Sequence, residues 1–326
     1  MARAASKPAA RPQKPDFKQR ASNGMDFRQL QYVTAVAEQQ SITKAAAELS
    51  IAQPTLSHFI AKIEEEIGVP LFDRSTRPLS LTLAGETYVA AARDILRLSA
   101  NLQRELADIA ADKKGRITIG IPQERSAYML PLVLPSYHKL YPDIMINTIE
   151  VKTSSLPLQV EKGNADFAII PYFSNNLDLE TETIYEEELL LVASGGMIPE
   201  SWCRSEGVVD ISRTADLPFI LPKKGYDIRS AVDILFEHYD IEPKVVLETT
   251  SNEAAYRLAT AGLGVTVVPR MTVALSFSVD HPDIFSMDDP PVTWDVVAAY
   301  RKDSYISKAI RAFFDVAKEA LASEVI

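Results

Sequence analysis

Residues 41–66 read SITKAAAELSIAQPTLSHFIAKIEEE, and this run restricts the fold more than any other part of the chain. Apolar residues recur with helical spacing on both sides of a break at 50–52, which predicts two short amphipathic helices. The first, over about 42–49, is expected to bury Ile42, Ala45, Ala46 and Leu49. The second, starting near Gln53 and Pro54, is expected to bury Leu56, Ile60, Ile63 and Ile67. Proline suits the first turn of a helix because its missing N–H would be unpaired there anyway. Ala45 and Ala46 are small enough for another helix to cross closely. Gln53, Pro54, Thr55, Ser57, His58 and Lys62 are left on an outward face. This is the plan of a helix-turn-helix, whose second helix enters the DNA major groove. A small helical bundle that touches no DNA would carry the same two helices, and the pair alone leaves both readings open.

The next residues, 68–85, read GVPLFDRSTRPLSLTLAG. Two strand-like pieces, 70–72 and 79–81, flank a turn containing Arg74 and Arg77. Such a hairpin is a wing that lays arginines on the phosphate backbone or in the minor groove. From 25 to about 98 the chain now resembles the N-terminal domain of the LysR-type transcriptional regulators. The residues that carry the resemblance are FRQL at 27–30, AAA at 45–47, QPTLS at 53–57, IEEEIG at 63–68, PLFDR at 70–74 and LTLAG at 81–85. The resemblance implies an α/β protein of defined order: an N-terminal winged helix-turn-helix, a long dimerisation helix, and a C-terminal two-subdomain α/β effector domain of the periplasmic-binding-protein type. It also implies a homodimer that pairs into a tetramer, promoter or operator DNA as one partner, and a small-molecule effector as the other.

The expected domains are a disordered basic extension at 1–24, the DNA-binding domain at 25–83, and a linker helix with hinge at 84–114. The effector domain follows at 115–326, with one subdomain at about 115–171 and 270–326 and the other at about 172–269. Residues 1–24 hold six basic residues, one acidic residue and a single large apolar one, Phe17. Too little surface can be buried there to offset the entropy of ordering. The extension either lies upstream of the true start at Met25 or is a basic arm that adds nonspecific DNA affinity by counterion release. Residues 25–114 hold ten basic and twelve acidic residues, and 115–326 hold 18 and 31. DNA affinity must therefore rest on placed charges, Lys44, Lys62, Arg74 and Arg77, while the acidic remainder stays off the DNA. The run Glu64, Glu65, Glu66 reads as a solvated face.

Composition excludes several functions. No apolar run nears the roughly 18 residues that a membrane span needs, which with the absent secretory signal points to the cytoplasm. One cysteine, Cys203, cannot form an intramolecular disulfide, and four scattered histidines give no metal-ligand spacing. No metal or other cofactor is expected. There is no nucleophile elbow and no glycine-rich phosphate loop, so an enzyme is not expected. A transport-type binding protein would account for 116–326 but not for 25–114.

Tyr88, Ile95, Leu102 and Ile109 recur every seven residues, with Ala91, Leu98 and Leu106 near the alternate positions. This is a coiled-coil seam, or the stripe of a helix packed on its own domain. Beyond the hinge, strand-like segments at 116–121, 145–151, 166–170, 188–193, 218–221, 244–248, 264–268 and 294–300 alternate with helical ones at 126–141, 156–162, 228–238, 252–261 and 304–321. That order is the pattern of an α/β domain with crossovers. Ligands in such folds sit at strand C-termini and helix N-termini, where free N–H groups favour anions. The loops at 122–126, 152–155, 222–226 and 250–252 qualify. Arg125, Ser126, Thr153, Lys223 and Thr250 are the expected effector contacts, the places near Ser126, Thr153 and Lys223 being implied by family position. Ser126, Ser155 and Ser251 could equally be helix caps. Arg125, Lys223 and Lys224 converging there suggest an anionic or carboxylate-bearing effector. On the DNA face, Gln53 can pair with adenine or a phosphate, and Thr55 and Ser57 can reach bases or phosphates. Many members of the family carry arginine where this chain has His58. Imidazole offers at most one donor and one acceptor, so guanine selection should weaken, unless His58 only packs on sugar–phosphate.

Overall fold

The computed structural model describes residues 26–110, 114–172, 178–276 and 281–322. The basic extension at 1–24 and hinge residues 112 and 113 lie outside the described residues. The chain divides after Ala100 into two compact units.

In the first unit, α1 (Phe27–Gln39), α2 (Ile42–Glu48) and α3 (Gln53–Ile67) precede a two-stranded antiparallel hairpin of β1 (Phe72–Asp73) and β2 (Ser80–Leu81). Asp26 and Ser41 cap the first two helices by accepting the Arg28 and Lys44 N–H groups. Each thereby satisfies a donor that helix geometry leaves unpaired. Ser50 adopts a left-handed φ of 55° to make the tight break between α2 and α3. Ala45 and Ala46 are buried against Val33, Val36, Leu56, Ile60 and Ile63, the close crossing that their size allows.

Two sequence expectations are corrected here. Ile67 is not in the core but 42% exposed, because it ends α3 and faces out beside exposed Val69 and Leu83. Glu64 does not belong to a solvated face; its side chain is 12% exposed. One carboxylate oxygen accepts the Leu71 and Phe72 N–H groups at 2.8 and 3.1 Å, and the other accepts Arg74 Nη2 at 2.8 Å. Glu64 thus fastens the wing to α3. Replacing Glu64 with alanine should lower the stability of this unit by about 1–3 kcal/mol, since two backbone donors lose their acceptor. Glu64→Gln keeps an acceptor and should cost less, a ranking that denaturant titration reads directly. The wing's far side is equally close: a Cβ on Gly85 would lie 2.0 Å from the Leu71 carbonyl oxygen, so no larger residue fits there.

The helix α4 (Leu83–Ile109) follows, 27 residues long. It exposes Ala91, Ile95, Leu98, Leu102, Leu106 and Ile109. Tyr88, the first residue of the predicted stripe, is half-buried against the core of the first unit, and from Ala91 onward the stripe is bare on this chain.

The second unit is α/β. β3 (Gly115–Ile121), α5 (Gln123–Leu140), β4 (Ile144–Glu150), α6 (Leu156–Glu161) and β5 (Phe167–Tyr172) form two crossovers, with β3 parallel to both β4 and β5. β6 (Glu180–Ala193) then carries the chain into a second lobe, built with β7 (Cys203–Ser205), β8 (Val208–Val209), β9 (Pro218–Pro222), α7 (Asp227–His238), β10 (Lys244–Thr249), α8 (Asn252–Thr260), β11 (Thr266–Pro269), α9 (Arg270–Leu275) and β12 (Asp283–Ser286). Within it β9 and β10 pair with each other in parallel. β13 (Thr293–Tyr300) returns to pair antiparallel with β5, and α10 (Lys308–Ala322) packs on α5, with Phe313 against Tyr137 and Phe167. β6 belongs to both lobes: Glu180 to Glu188 pair with β13, and Leu189 onward pairs with β11 and β12. Residues 188–193 were expected as a strand, but 180–187 were not; β7, β8, β12 and α9 were also not foreseen. The last part of α4 is tied to this unit. Arg104 pairs with Asp166, and Asp108 accepts the Tyr305 hydroxyl at 3.0 Å and the Lys308 N–H at 2.8 Å.

Candidate functional site

The first candidate surface is the N-terminal half of α3. Gln53, Pro54, Thr55 and His58 are exposed and Ser57 is half-buried, while Leu56 and Ile60 on the opposite side are fully buried. Among the described residues, the side chains of Gln53, Thr55, Ser57 and His58 make no hydrogen bond. Lys62 is exposed and lies 3.7 Å from Glu66 on the next turn. The two wing arginines differ. Arg74 is exposed but bonded to Glu64, whereas exposed Arg77 has no partner among the described residues. In the same hairpin Asp73 accepts from the Ser75 hydroxyl and N–H, which holds its carboxyl below the usual range. Lys44 is exposed on α2.

The second candidate is a cavity of about 770 Å³ in the α/β unit. Its rim is built by the start of α5, the loop after β4, and the starts of α7 and α8. Its floor includes Pro171, Met271 and Trp294. The structure brings Arg125, Thr153 and Thr250 to this cavity. Ser126 and Lys223 are not among its lining residues. Ser126 donates its hydroxyl to Glu150 at 2.8 Å, and the Lys223 side chain points to solvent. Ser251 lines the cavity and also caps α8, accepting the Ala254 N–H at 3.2 Å.

Arg125 departs most from expectation. It is 2% exposed, and its Nη2 donates to Glu187, also 2% exposed, at 2.9 Å. Its Nη1 donates to the Tyr185 hydroxyl. Burial opposes the guanidinium charge, but Glu187 and Tyr185 together outweigh it and hold the group above its ordinary pKa. Glu187 also accepts Trp294 Nε1 at 2.8 Å and the Met271 N–H at 3.3 Å. This network joins α5, β6, α9 and β13 at the point where β6 passes from one lobe to the other.

Three contacts span the cavity. Glu124 of α5 accepts both the N–H and the side-chain amide of Asn252, at 3.1 and 2.9 Å, at the start of α8. Asp227 at the start of α7 is hydrogen-bonded to Thr153. The Lys152 ammonium sits 5.5 Å from the centre of the Tyr226 ring. Burial raises the carboxyl pKa of Glu124 and of Asp227, which their hydrogen bonds only partly offset. Glu124, Asp227, Tyr226, Trp294 and Glu187 were not foreseen. Glu124 and Asp227 sit in or beside loops that the sequence marked, but nothing local distinguishes Glu187 from its acidic neighbours. The array of cations expected to attract an anionic effector is not what lines the cavity, since Arg125 is consumed internally and Lys223 lies outside.

Comparison with known proteins matches the two parts of the chain that carry these surfaces. Residues 27–86 match the family model "Bacterial regulatory helix-turn-helix protein, lysR family", and 110–322 match "LysR substrate binding domain". The chain is 29% identical to the uncharacterized HTH-type transcriptional regulator YcgK of Bacillus subtilis, over 91% of this chain and 95% of that one. It is 31% identical to the HTH-type transcriptional regulator AlsR of the same organism, over 86% and 92%. Among solved structures it resembles a full-length OxyR point variant from Pseudomonas aeruginosa, with a TM-score of 0.73 and 25% identity, covering 91% of this chain and 95% of that one.

Proposed function

We propose, from the premise that this chain belongs to the LysR family of transcriptional regulators, that it reads promoter DNA with α3 and the wing and is switched by a small molecule bound in the α/β cleft. Its relatives are regulators rather than enzymes. The observation that carries the reading is the polar face of α3: Gln53, Thr55, Ser57 and His58 are presented by a buried apolar back and have no internal partners among the described residues. Such groups are free to meet base edges and phosphates. Gln53, Pro54, Thr55, Ser57 and His58 face the groove, Lys62 supports from the next turn, and Arg77 contacts backbone. Arg74 contributes chiefly by holding the wing through Glu64, with its remaining donors available to phosphate.

The bare stripe of α4 is covered by a second copy of the chain, giving a dimer with two reading heads, and dimers pair into a tetramer. An apolar groove lined by Ile67, Val69, Leu83, Tyr88 and Ala91 adds to the same surface. The protein works in the cytoplasm, where promoter DNA lies. A small molecule that prefers the closed cleft shifts the population toward it, and the setting of the DNA-reading heads changes with it.

DNA from the region beside the gene, footprinted with the full-length protein, tests the reading. Protection should cover two half-sites, and a metabolite extract should alter it. His58→Arg should shift base preference toward guanine in a selection experiment, because guanidinium pairs bidentately with guanine O6 and N7. An unchanged preferred sequence would remove His58 from the specificity set, and failure to protect any adjacent fragment at low salt would sink the regulator mechanism proposed.

A further inference from the structure

Taking the cleft as the effector site, its charge indicates what kind of molecule it takes. Four carboxylates line it, Glu124, Glu150, Asp227 and Glu253, against two cations, Arg125 and Lys152. Arg125 is engaged by Glu187, and Glu253 accepts Arg257 Nε at 2.5 Å. Glu124, Glu150 and Asp227 remain against Lys152, with the paired guanidinium of Arg125 acting on Asp227 from a distance. Among the described residues none of these three forms a salt bridge.

Acidic side chains already stand at two of the helix starts that would seat an incoming anion. Glu124 takes the Asn252 N–H at the start of α8, and Asp227 is itself the first residue of α7. A ligand carboxylate would meet like charge at both. A ligand cation would meet carboxylates whose burial already disfavours their charge, and would relieve that cost. Val151, Ile228, Met271, Leu275 and Trp294 supply apolar wall. Arg125, which also lines the cavity, keeps a buried Nε–H with no acceptor among the described residues. That donor suits an oxygen on the occupant. The volume, about 770 Å³, is within the usual range for small-molecule sites.

We propose that the cleft receives an organic amine with an apolar, oxygen-bearing body, its ammonium held by Glu124, Asp227 and Glu150. Glu124 already bridges α5 to Asn252 at the start of α8, so an ammonium held there touches both sides of the cleft. This rests on the effector reading given above and adds the chemical class of the effector.

Calorimetry on the full-length protein without DNA tests it with matched probes: tyramine against 4-hydroxyphenylacetate, and 4-methoxybenzylamine against 4-methoxybenzoate. At least one amine is expected to bind more tightly than its carboxylate counterpart. Glu124→Gln, which preserves an acceptor for Asn252 and hence the fold, should weaken that binding about tenfold or more, as should Asp227→Asn. Lys152→Met removes the one lining cation not already held in an ion pair and should tighten it. The proposal is overturned if the carboxylates bind better, if no amine binds, or if Glu124→Gln binds the amine as tightly as the parent. Tight carboxylate binding at the same cleft would refute the charge class while leaving the effector reading intact. A DNA footprint indifferent to every small molecule would remove both.

Discussion

Glu187→Ala should lower the stability of the α/β unit by about 3–5 kcal/mol, because it strands the Arg125 guanidinium in the interior. Arg125 and Glu187 are each 2% exposed, so water cannot solvate the charge left behind. The same substitution removes the acceptor from Trp294 Nε1 and from the Met271 N–H. Urea denaturation followed by tryptophan fluorescence and by backbone circular dichroism reads the loss. Glu187→Gln should be milder, since an amide oxygen still accepts from Trp294 although it cannot neutralise Arg125. Combining Arg125→Met with Glu187→Leu should recover part of the loss, because an apolar replacement of both partners leaves no buried charge. A double variant no more stable than Glu187→Ala would mean that packing around β6, not the ion pair, sets the cost. Folded variants should also respond less to any effector, since the network spans the point where β6 passes between the lobes.

Leu98→Glu together with Leu102→Glu should give monomers and reduce operator affinity by about 10²-fold or more. Both leucines are bare on α4, at 70% and 54% exposure, so the substitutions cost the isolated chain little. In a dimer the same positions would bring like charges into an apolar seam. Losing the second reading head removes the effective-concentration gain of two linked heads, which is commonly about 10²–10⁴. Sedimentation gives the mass and a DNA titration gives the affinity. Unchanged mass together with unchanged affinity would show that α4 does not join the copies.

How far each feature could be read from the sequence depended on the range of its cause. The α3 face and the wing hairpin were legible because a period of about 3.6 and a turn between two apolar pieces are local. The order of crossovers in the α/β unit was legible for the same reason. β6 was only half legible. Glu180, Glu182, Glu186, Glu187 and Glu188 make its first part look like a solvated loop. In the fold, Glu182 pairs with Arg311 and Lys318, Glu187 with Arg125, and Glu188 with Arg270. Those partners lie 62 to 136 residues away, so no window of sequence could show that the carboxylates were neutralised. Glu64 misled for a related reason, since its three donors come from a hairpin that folds back onto α3.

The helix-turn-helix, the wing, the apolar stripe of α4 and the alternation of strands and helices could all be read from the letters alone. Each follows from periodicity and turn chemistry within a few residues. Which charges are internal and which face an open surface emerged from the packing of the folded chain. Arg125 and Lys223 are equally basic as letters, but the packing around β6 buries one against Glu187 and leaves the other in solvent. The same packing sets Glu124 against Asn252, 128 residues on, and with it the sign of the cleft. Burial and long-range pairing decide the behaviour of ionisable groups, and both are products of topology.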